Sequence, residues 1–159
     1  MNIRIGQGID FHRLRKGIAL WLGGVRIPSE HGCIAHSDGD VLLHAMCDSM
    51  LGAAGLRDIG FYFPDTEPEF KNIDSKILLK RSFDLINEKG FAVVNIDSTI
   101  CLEKPKISAY IPEMRVVISS ILGILPENVS IKATTTEKLG FTGREEGVVA
   151  IAIVLLSGK

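Results

Sequence analysis

The feature that most constrains the fold is an uninterrupted apolar run of nine residues from Val148 to Leu156. A strand that is apolar on both faces is typical of the middle of a sheet that is covered on both sides. A helix needs about 20 apolar residues to cross a bilayer, so a run of this length does not predict a membrane span. The run therefore predicts a buried central strand, from Gly147 to Leu156, in a globular fold.

The rest of the chain mixes helical and extended patterns without the strict alternation of repeated β-α-β units. Apolar spacing and end signals predict helices from Asp38, as N-cap, to Ala54, from Ser75 to Lys89 and from Ile111 to Leu122. Further strands are predicted at 3–11, broken by Gly6 and Gly8, and at 18–27, 91–102 and 129–135, with a loop at 57–71. One face of strand 91–102 is expected to carry Val94, Ile96, Ser98, Ile100 and Leu102. This predicts an α+β fold, with a mixed β-sheet and helices packed on one face, in a single layered domain over residues 1–159.

The charge balance limits the classes of partner. Lysine and arginine number 18 against 19 acidic residues, which gives a formal net charge of −1. Nonspecific binding to nucleic acid or to an anionic membrane surface needs a basic excess, so neither is an expected partner. Cys33, Cys47 and Cys101 form no C-x-x-C pair, and no secretory signal is predicted. These observations favour a reducing, cytoplasmic location and disfavour a cysteine zinc site.

A candidate metal site consists of Asp10, His12 and His44. Asp10 and His12 are one residue apart on an extended segment, which places both on one face, about 6–7 Å apart at Cα. His44 lies on the first predicted helix, where Asp40 or Asp48, one turn away, could accept its second ring N–H. Two imidazoles and one carboxylate leave a fourth position open, as in catalytic zinc sites. A D-x-H pair taken alone also fits a solvated or structural pair.

Two other segments suit anion binding. His36 lies in A-H-S-D-G-D before the first helix, where an imidazole and a backbone N–H could meet an anion. Helix capping by Ser37 and Asp38 is the simpler alternative. Residues 132–144 place three threonines at a strand end before a Gly-punctuated loop, which suits phosphate binding through hydroxyls and amides. Their alternative is ordinary strand formation followed by a helix cap at residues 136–138.

Four long motifs occur in an order and spacing that identify a family. They are G-Q-G-I-D-F-H, A-H-S-D-G-D-V-L-L-H-A, D-I-G-x-x-F-P-D-T and K-A-T-T-T-E-K-L-G-F-T-G-R. Over essentially its whole length the chain resembles the 2-C-methyl-D-erythritol 2,4-cyclodiphosphate synthases, in the stand-alone form rather than fused to the preceding cytidylyltransferase. The resemblance implies a phosphorus–oxygen lyase of non-mevalonate isoprenoid precursor synthesis. Its reaction converts 4-diphosphocytidyl-2-C-methyl-D-erythritol 2-phosphate into the cyclic diphosphate and releases CMP.

The resemblance also implies cofactors and an assembly. One divalent cation per subunit, zinc most often, would bind Asp10, His12 and His44, and Mg²⁺ or Mn²⁺ would accompany the substrate diphosphate at Glu137. A homotrimer is implied, with active sites at subunit interfaces and an axial cavity that could take an isoprenoid diphosphate. Residues 102–146 hold six basic and six acidic side chains, so metal ions are the expected counter-charge for a substrate with several phosphates.

Individual positions are carried over from the family motifs. His36 and Thr135 match the catalytic positions that hydrogen-bond phosphate oxygens. The matched substrate-binding positions, besides Asp10 and His12, are His36, Ser37, Asp58, Ile59, Gly60, Phe63, Pro64, Asp65, Thr66, Glu67, Thr134, Thr135, Thr136, Glu137, Phe141 and Arg144. Leu102, Glu103, Lys104, Pro105, Lys106, Ile107 and Ser108 match the cytosine-recognition loop. Phe141 and Arg144 match positions near the threefold axis, and Glu103 stands where many relatives have Gln.

Two other functional classes fit the same residues. A metal-dependent phosphohydrolase or phosphate lyase could use the trio with an activated water. A non-enzymatic protein could hold a structural metal and bind isoprenoid phosphates. Structural zinc sites usually have four protein ligands, and no fourth ligand is evident at a suitable spacing, which disfavours the second alternative.

Overall fold

Seven strands form two sheets in residues 2–159, the part of the chain that the computed structural model describes. The strands are β1 (Ile3–Lys16), β2 (Leu20–Leu22), β3 (Val25–Ile27), β4 (His31–Ile34), β5 (Phe91–Cys101), β6 (Val129–Thr134) and β7 (Gly147–Gly158). The main sheet has the order β4-β1-β7-β5-β6, in which only β5 and β6 pair in parallel. The other two strands form a small antiparallel hairpin. The predicted mixed sheet of an α+β fold is confirmed.

Five helices and three short 3₁₀ turns complete the fold. The helices are α1 (Val41–Ala53), α2 (Ile59–Tyr62), α3 (Ser75–Glu88), α4 (Ile111–Leu122) and α5 (Gly140–Gly143), and the turns are Pro68–Phe70, Ser108–Tyr110 and Pro126–Asn128. The three longer helices confirm the sequence prediction, but α2 and a 3₁₀ turn lie in the segment predicted as loop. Among the described residues, no helix has the length and apolar character of a membrane span.

The ends of α3 and α4 follow from local chemistry. Asp74 caps α3 and its carboxylate accepts the backbone N–H of Lys76, while α4 ends at Gly123 in the left-handed conformation with φ of 63°. The start of α1 differs from the prediction, because Asp40 rather than Asp38 is the N-cap and accepts the backbone N–H of Leu43. The Asp38 carboxylate instead accepts the backbone N–H of Ser75, the first residue of α3, at 3.0 Å.

β7 is the central strand of the main sheet, as its apolar run predicts. Its even-numbered residues from Val148 to Leu156 are completely buried on the helical side of the sheet. The opposite face is only partly covered within residues 2–159, and Ile153 there is 41% exposed. The expected cover on both sides is therefore not supplied by the described part of one chain.

Gly6 and Gly8 do not break the first strand, and that prediction is wrong. β1 runs continuously for 14 residues, and the two glycines face α1. A Cβ at Gly8 would lie 1.9 Å from the carbonyl oxygen of Ala45, and one at Gly6 would lie 2.0 Å from that of Ser49. The missing side chains let α1 pack directly on β1, which brings the helix close to Asp10 and His12.

A bulge in β5 changes which residues face the core. The pairing with β7 shifts between Val93, opposite Leu156, and Asn95, opposite Leu155. Val93 is therefore buried and Val94 exposed, which corrects the prediction for Val94. Beyond the bulge the predicted alternation holds, with Ile96 and Ile100 fully buried.

Candidate metal and substrate site

The side chains of Asp10, His12 and His44 converge on one point. His44 Nδ1 lies 3.0 Å from Asp10 Oδ2 and 3.1 Å from His12 Nε2, and His12 Nε2 lies 3.2 Å from Asp10 Oδ2. Zinc bonds of about 2.0–2.2 Å in a tetrahedron place ligand atoms about 3.3 Å apart, close to this triangle. The three residues could therefore hold a metal ion with a fourth position open.

Two elements build this trio. β1 places Asp10 and His12 on the helical side of the sheet, as the two-residue spacing predicts. The first turn of α1 supplies His44, whose ring stands edge-on to that of His12 with centroids 5.2 Å apart. Two ring nitrogens and a carboxylate oxygen this close must share a proton or a metal ion, since their lone pairs would otherwise repel one another.

The two imidazoles differ in basicity. Burial lowers the pKa of His12, and the Asp10 charge only partly offsets this. Burial also opposes protonation of His44, but its hydrogen bond to Asp10 and the charges of Asp10, Asp40 and Asp38 together raise its pKa. His12 is therefore the neutral ring at ordinary pH, and His44 is the member of the trio that a proton and a metal compete for.

The second ring nitrogen of His44 does not meet either carboxylate proposed from the sequence, which corrects that expectation. Asp40 sits at the N-cap and accepts backbone N–H groups of Gly23, Gly24 and Leu43 at 3.0, 2.7 and 3.1 Å. Asp48 accepts the backbone N–H of Ile59 at 2.7 Å.

Two serine hydroxyls take that place. His44 Nε2 lies 2.9 Å from Ser75 Oγ and 3.1 Å from Ser37 Oγ. Within residues 2–159, Ser75 is the one side-chain hydrogen-bond partner of the trio that the sequence did not predict. The sequence around Ser75 marks it only as the first residue of α3, and it lies 31 positions after His44 in the chain.

A cavity of about 460 Å³ opens beside His12 and His44. Predicted substrate positions that line it are His36, Ser37, Ile59, Gly60, Phe63, Pro64 and Asp65, and the other lining residues are Ile34, Ala35, Phe70, Ile73 and Leu78. Asp58, Thr66 and Glu67 are exposed and do not line it, and the Asp58 side chain caps α2 by accepting the backbone N–H of Phe61 at 2.9 Å. The apolar members of the lining carried no signal in the sequence beyond that of ordinary core residues.

His36 presents an unsatisfied nitrogen at this cavity. Its Nε2 is buried and has no hydrogen-bond partner among residues 2–159. The loop that carries it is held in place, because the His36 carbonyl accepts the backbone N–H of Asn72 at 2.7 Å and the Asp38 N–H donates to the Ile73 carbonyl at 3.1 Å. A buried polar atom without a partner on a fixed loop suits a polar ligand such as phosphate.

The predicted cytosine loop and threonine segment form a second group. The Leu102 N–H donates to the Thr134 carbonyl at 3.0 Å, and the hydroxyl of Thr135 donates to Glu137 at 3.2 Å. Thr136 donates to the Leu139 carbonyl at 2.7 Å, so it caps a local turn. The cytosine-loop residues lie after β5, with Leu102, Glu103 and Ile107 buried and Lys104, Pro105, Lys106 and Ser108 half-buried or exposed.

Two ion pairs join the cytosine loop to the segment after β6. Lys138 contacts the buried Glu103 carboxylate, and Lys104 lies 3.0 Å from Glu145. The hydrogen bond from Lys138 holds the pKa of Glu103 below its usual range. The second carboxylate oxygen of Glu103 is buried and has no partner among residues 2–159.

The metal trio on β1 and α1 and the second group, formed by the cytosine loop and the threonine segment, do not meet within one chain. Three strand spacings separate β1 from β6, which amounts to about 14 Å. They lie at the same level of the sheet, since Phe11 pairs with Val149, Val149 with Cys101 and Cys101 with Thr134.

The last two predicted positions, Phe141 and Arg144, lie apart from the cavity beside the trio. Phe141 packs against Phe11 with ring centroids 6.2 Å apart. Arg144 forms two hydrogen bonds to the carboxylate of Glu146, at 3.0 and 3.1 Å. Neither residue lines the cavity beside the trio, but Phe141 lines a separate small cavity together with Phe11 and His12.

Comparison with known proteins agrees with this architecture. The model of the YgbB family matches residues 3–157. The 2-C-methyl-D-erythritol 2,4-cyclodiphosphate synthase of Bacteroides thetaiotaomicron is 59% identical over 156 residues, which are 98% of each chain. The bifunctional IspDF of Campylobacter jejuni superposes with a TM-score of 0.96 at 43% identity, over 99% of this chain and 43% of that longer chain. IspF of Plasmodium falciparum in complex with CDP gives a TM-score of 0.87 at 37% identity, over 99% of this chain and 97% of that chain.

The family match spans nearly the whole chain, and the identity to curated relatives is far above the level at which folds alone are shared. This protein is therefore an enzyme of the YgbB family, the family of the 2-C-methyl-D-erythritol 2,4-cyclodiphosphate synthases.

Proposed function

We propose that the protein converts 4-diphosphocytidyl-2-C-methyl-D-erythritol 2-phosphate into 2-C-methyl-D-erythritol 2,4-cyclodiphosphate and CMP. The observation that carries the proposal is the trio of Asp10, His12 and His44 at the mouth of a cavity that also exposes His36 and Ser37. That arrangement offers a cation and hydrogen-bond donors to one phosphate-bearing, partly apolar ligand.

Two metal ions are part of the proposal. Asp10, His12 and His44 would hold a divalent ion, with zinc favoured by the nitrogen-rich ligand set, and Glu137 would hold Mg²⁺ or Mn²⁺. When bound, these ions supply Lewis-acid compensation of the charge on the substrate phosphates. Three protein ligands rather than four are consistent with a catalytic site.

The reaction needs no protein nucleophile. An oxygen of the substrate's own 2-phosphate forms a bond to the β-phosphorus, the bond from that phosphorus to the α-phosphate oxygen breaks, and CMP leaves with the electron pair. The chain must fold the substrate so that these atoms meet, which is chiefly a matter of positioning. Ile59, Gly60 and Phe63 would hold the methylerythritol part in the cavity.

His36 and Thr135 would donate hydrogen bonds to phosphate oxygens as charge shifts in the transition state. The unpartnered Nε2 of His36 and the half-buried hydroxyl of Thr135, which lies beside Glu137, support these roles. Loss of either donor should raise the barrier by about 3 kcal/mol, as for the removal of an oxyanion-hole donor.

The assembly that we propose is a homotrimer. The metal group and the cytosine group of one chain are about 14 Å apart, so one substrate would reach both most easily if they came from neighbouring subunits. The sheet face away from the helices carries exposed apolar residues, which suits burial between copies. They are Ile3, Ile5, Ile9, Phe11 and Ile153.

We also propose a ligand near the threefold axis of the trimer and a cellular compartment for the protein. Phe11, Phe141 and Arg144 would lie near the threefold axis, where apolar rings and a cation suit an isoprenoid diphosphate. The cytoplasm is the compartment that we propose, which agrees with three free cysteines.

The chemistry is tested by ³¹P NMR of the cytidine substrate with the protein, Mg²⁺ and Zn²⁺. We expect two coupled signals of a cyclic diphosphate together with CMP. Inorganic phosphate or an acyclic diphosphate would instead assign the trio to a hydrolase.

The shared site is tested by mixing two inactive variants, His44→Ala and Glu137→Ala, after reversible dissociation. In a closed ring with random exchange, about one site in four combines an intact metal group with an intact Glu137, so about a quarter of the activity should return. Each variant treated alone is the control. No recovery in mixed oligomers, or an active monomer in sedimentation, would contradict the shared site.

A further inference from the structure

We propose that Asp38 and Ser75 are positioning residues for the metal ligand His44: Asp38 orients the Ser75 hydroxyl so that it accepts the Nε2–H of His44 while Nδ1 binds the metal. This inference rests on the metal site of the proposed function. It concerns residues that touch neither the metal position nor the substrate cavity directly, apart from the contact between Ser75 and His44.

Ser75 donates two hydrogen bonds to the carboxylate of Asp38. Ser75 is fully buried at the start of α3, and its backbone N–H donates to Asp38 Oδ2 at 3.0 Å. Its hydroxyl donates to the other oxygen of the same carboxylate. A carboxylate only accepts and a serine hydroxyl has one proton, so this proton is committed to Asp38.

With its proton committed, Ser75 Oγ can only accept from His44 Nε2, which lies 2.9 Å away. With a metal on Nδ1, the single proton of the neutral imidazole would be on Nε2, where Ser75 accepts it, and the lone pair of Nδ1 would point to the metal between Asp10 and His12. Without a metal, Nδ1 can carry a proton that it donates to Asp10.

A metal on Nδ1 leaves Nε2–H as the one protonated ring nitrogen of a neutral His44. Ser75 Oγ, 2.9 Å away, would accept this proton around a ring whose side chain is only 11% exposed. A buried donor without such a partner is costly. Ser37 Oγ, at 3.1 Å from the same nitrogen, is the second hydroxyl within reach.

The network also spans three separate segments. Asp38 lies in the loop before α1, His44 on α1 and Ser75 at the start of α3. The same loop carries His36 and Ser37 at the cavity. The position and the protonation of the metal ligand are thus tied to the segment that would meet the substrate.

The test measures the Zn²⁺ dissociation constant of the full-length protein by competition with a chromophoric chelator. Ser75→Ala is expected to bind Zn²⁺ about 10–100-fold more weakly, the usual effect of losing an outer-shell partner. Asp38→Ala leaves the Ser75 hydroxyl free to donate to Nε2 and should weaken binding in the same range. The matched control is Ser82→Ala, which removes another fully buried hydroxyl of α3 and should leave the affinity unchanged.

A second readout separates positioning from loss of packing. In NMR spectra of the Zn²⁺-loaded protein, the Nε2–H proton of His44 should exchange slowly with solvent in the wild type and in Ser82→Ala. Faster exchange of this proton is expected in Ser75→Ala and Asp38→Ala.

Wild-type Zn²⁺ affinity and wild-type exchange of the His44 Nε2–H in a folded Ser75→Ala variant would overturn the inference. If Ser75→Ala does not fold, Asp38→Ala decides in the same way. A wild-type protein that binds no Zn²⁺ would instead remove the proposed metal site, and so the two failures are distinguishable.

Discussion

His44 Nδ1 lies 3.0 Å from Asp10 Oδ2, although the two residues are 34 positions apart and belong to different elements. The contact exists because α1 packs directly on β1. It places a helix residue and a strand residue in one ligand set.

Removal of the His44 ring should abolish tight metal binding. In His44→Ala two ligands remain, and we expect less than one-tenth of the wild-type Zn²⁺ content after dialysis and nearly complete loss of CMP release. His31→Ala, which removes a histidine outside the trio, is the control and should behave as the wild type. Full metal occupancy with normal turnover in His44→Ala would refute the ligand assignment.

The glycine at position 8 should be indispensable for the contact between β1 and α1. In Gly8→Ala the new Cβ meets the Ala45 carbonyl oxygen at 1.9 Å, so α1 must move, at a cost of about 3 kcal/mol or more in free energy of unfolding. Zn²⁺ affinity should fall as well, because His44 moves with the helix. Both are measured by urea unfolding and chelator competition.

The matched control is Gly52→Ala, a glycine on α1 where a Cβ would meet nothing within 4 Å. Because alanine favours the helix, this variant should gain about 0.5–1 kcal/mol. A Gly8→Ala protein as stable as the wild type would show that the close packing is not required.

Zinc affinity should fall as the solution becomes more acidic. Burial lowers the pKa of His44, but the hydrogen bond to Asp10 and the nearby carboxylate charges outweigh it and raise that pKa above its usual 6.5. Below that raised pKa a proton must leave before the metal binds, so the affinity should drop about tenfold per pH unit. Calorimetric titration over a pH series measures this. An affinity that stays constant until the pH is well below 6.5 would contradict the raised pKa.

The Glu103–Lys138 pair should support nucleotide binding. In Lys138→Met the buried Glu103 carboxylate loses its partner, so its pKa rises and the cytosine loop loses one of its two ion pairs to the segment after β6. We expect CDP to bind severalfold more weakly in calorimetric titrations.

Adding Glu103→Gln to Lys138→Met should restore most of the affinity, because no charge is then left unpaired. Lys80→Met, which breaks the exposed pair with Asp84, is the control and should leave CDP binding unchanged. Equal affinity in all variants would separate the ion pair from nucleotide binding.

The sequence by itself determined the parts of this protein that depend on near neighbours in the chain. Helix α3 with its Asp74 cap, helix α4 with Gly123 at its end and the central β7 follow from periodicity, capping and apolar runs. The two-residue spacing of Asp10 and His12 also sets a shared face, because strand geometry alternates side chains.

The tertiary structure alone decided which distant groups meet. It gave the second nitrogen of His44 to Ser75 instead of Asp40 or Asp48, used Gly8 for helix packing instead of a strand break, and placed Thr134 about three strands from the metal trio. Each outcome depends on how whole elements pack, and packing sums many contacts between residues far apart in sequence. Periodicity and capping report only local preferences, and so they fix the elements but not the partners of their side chains.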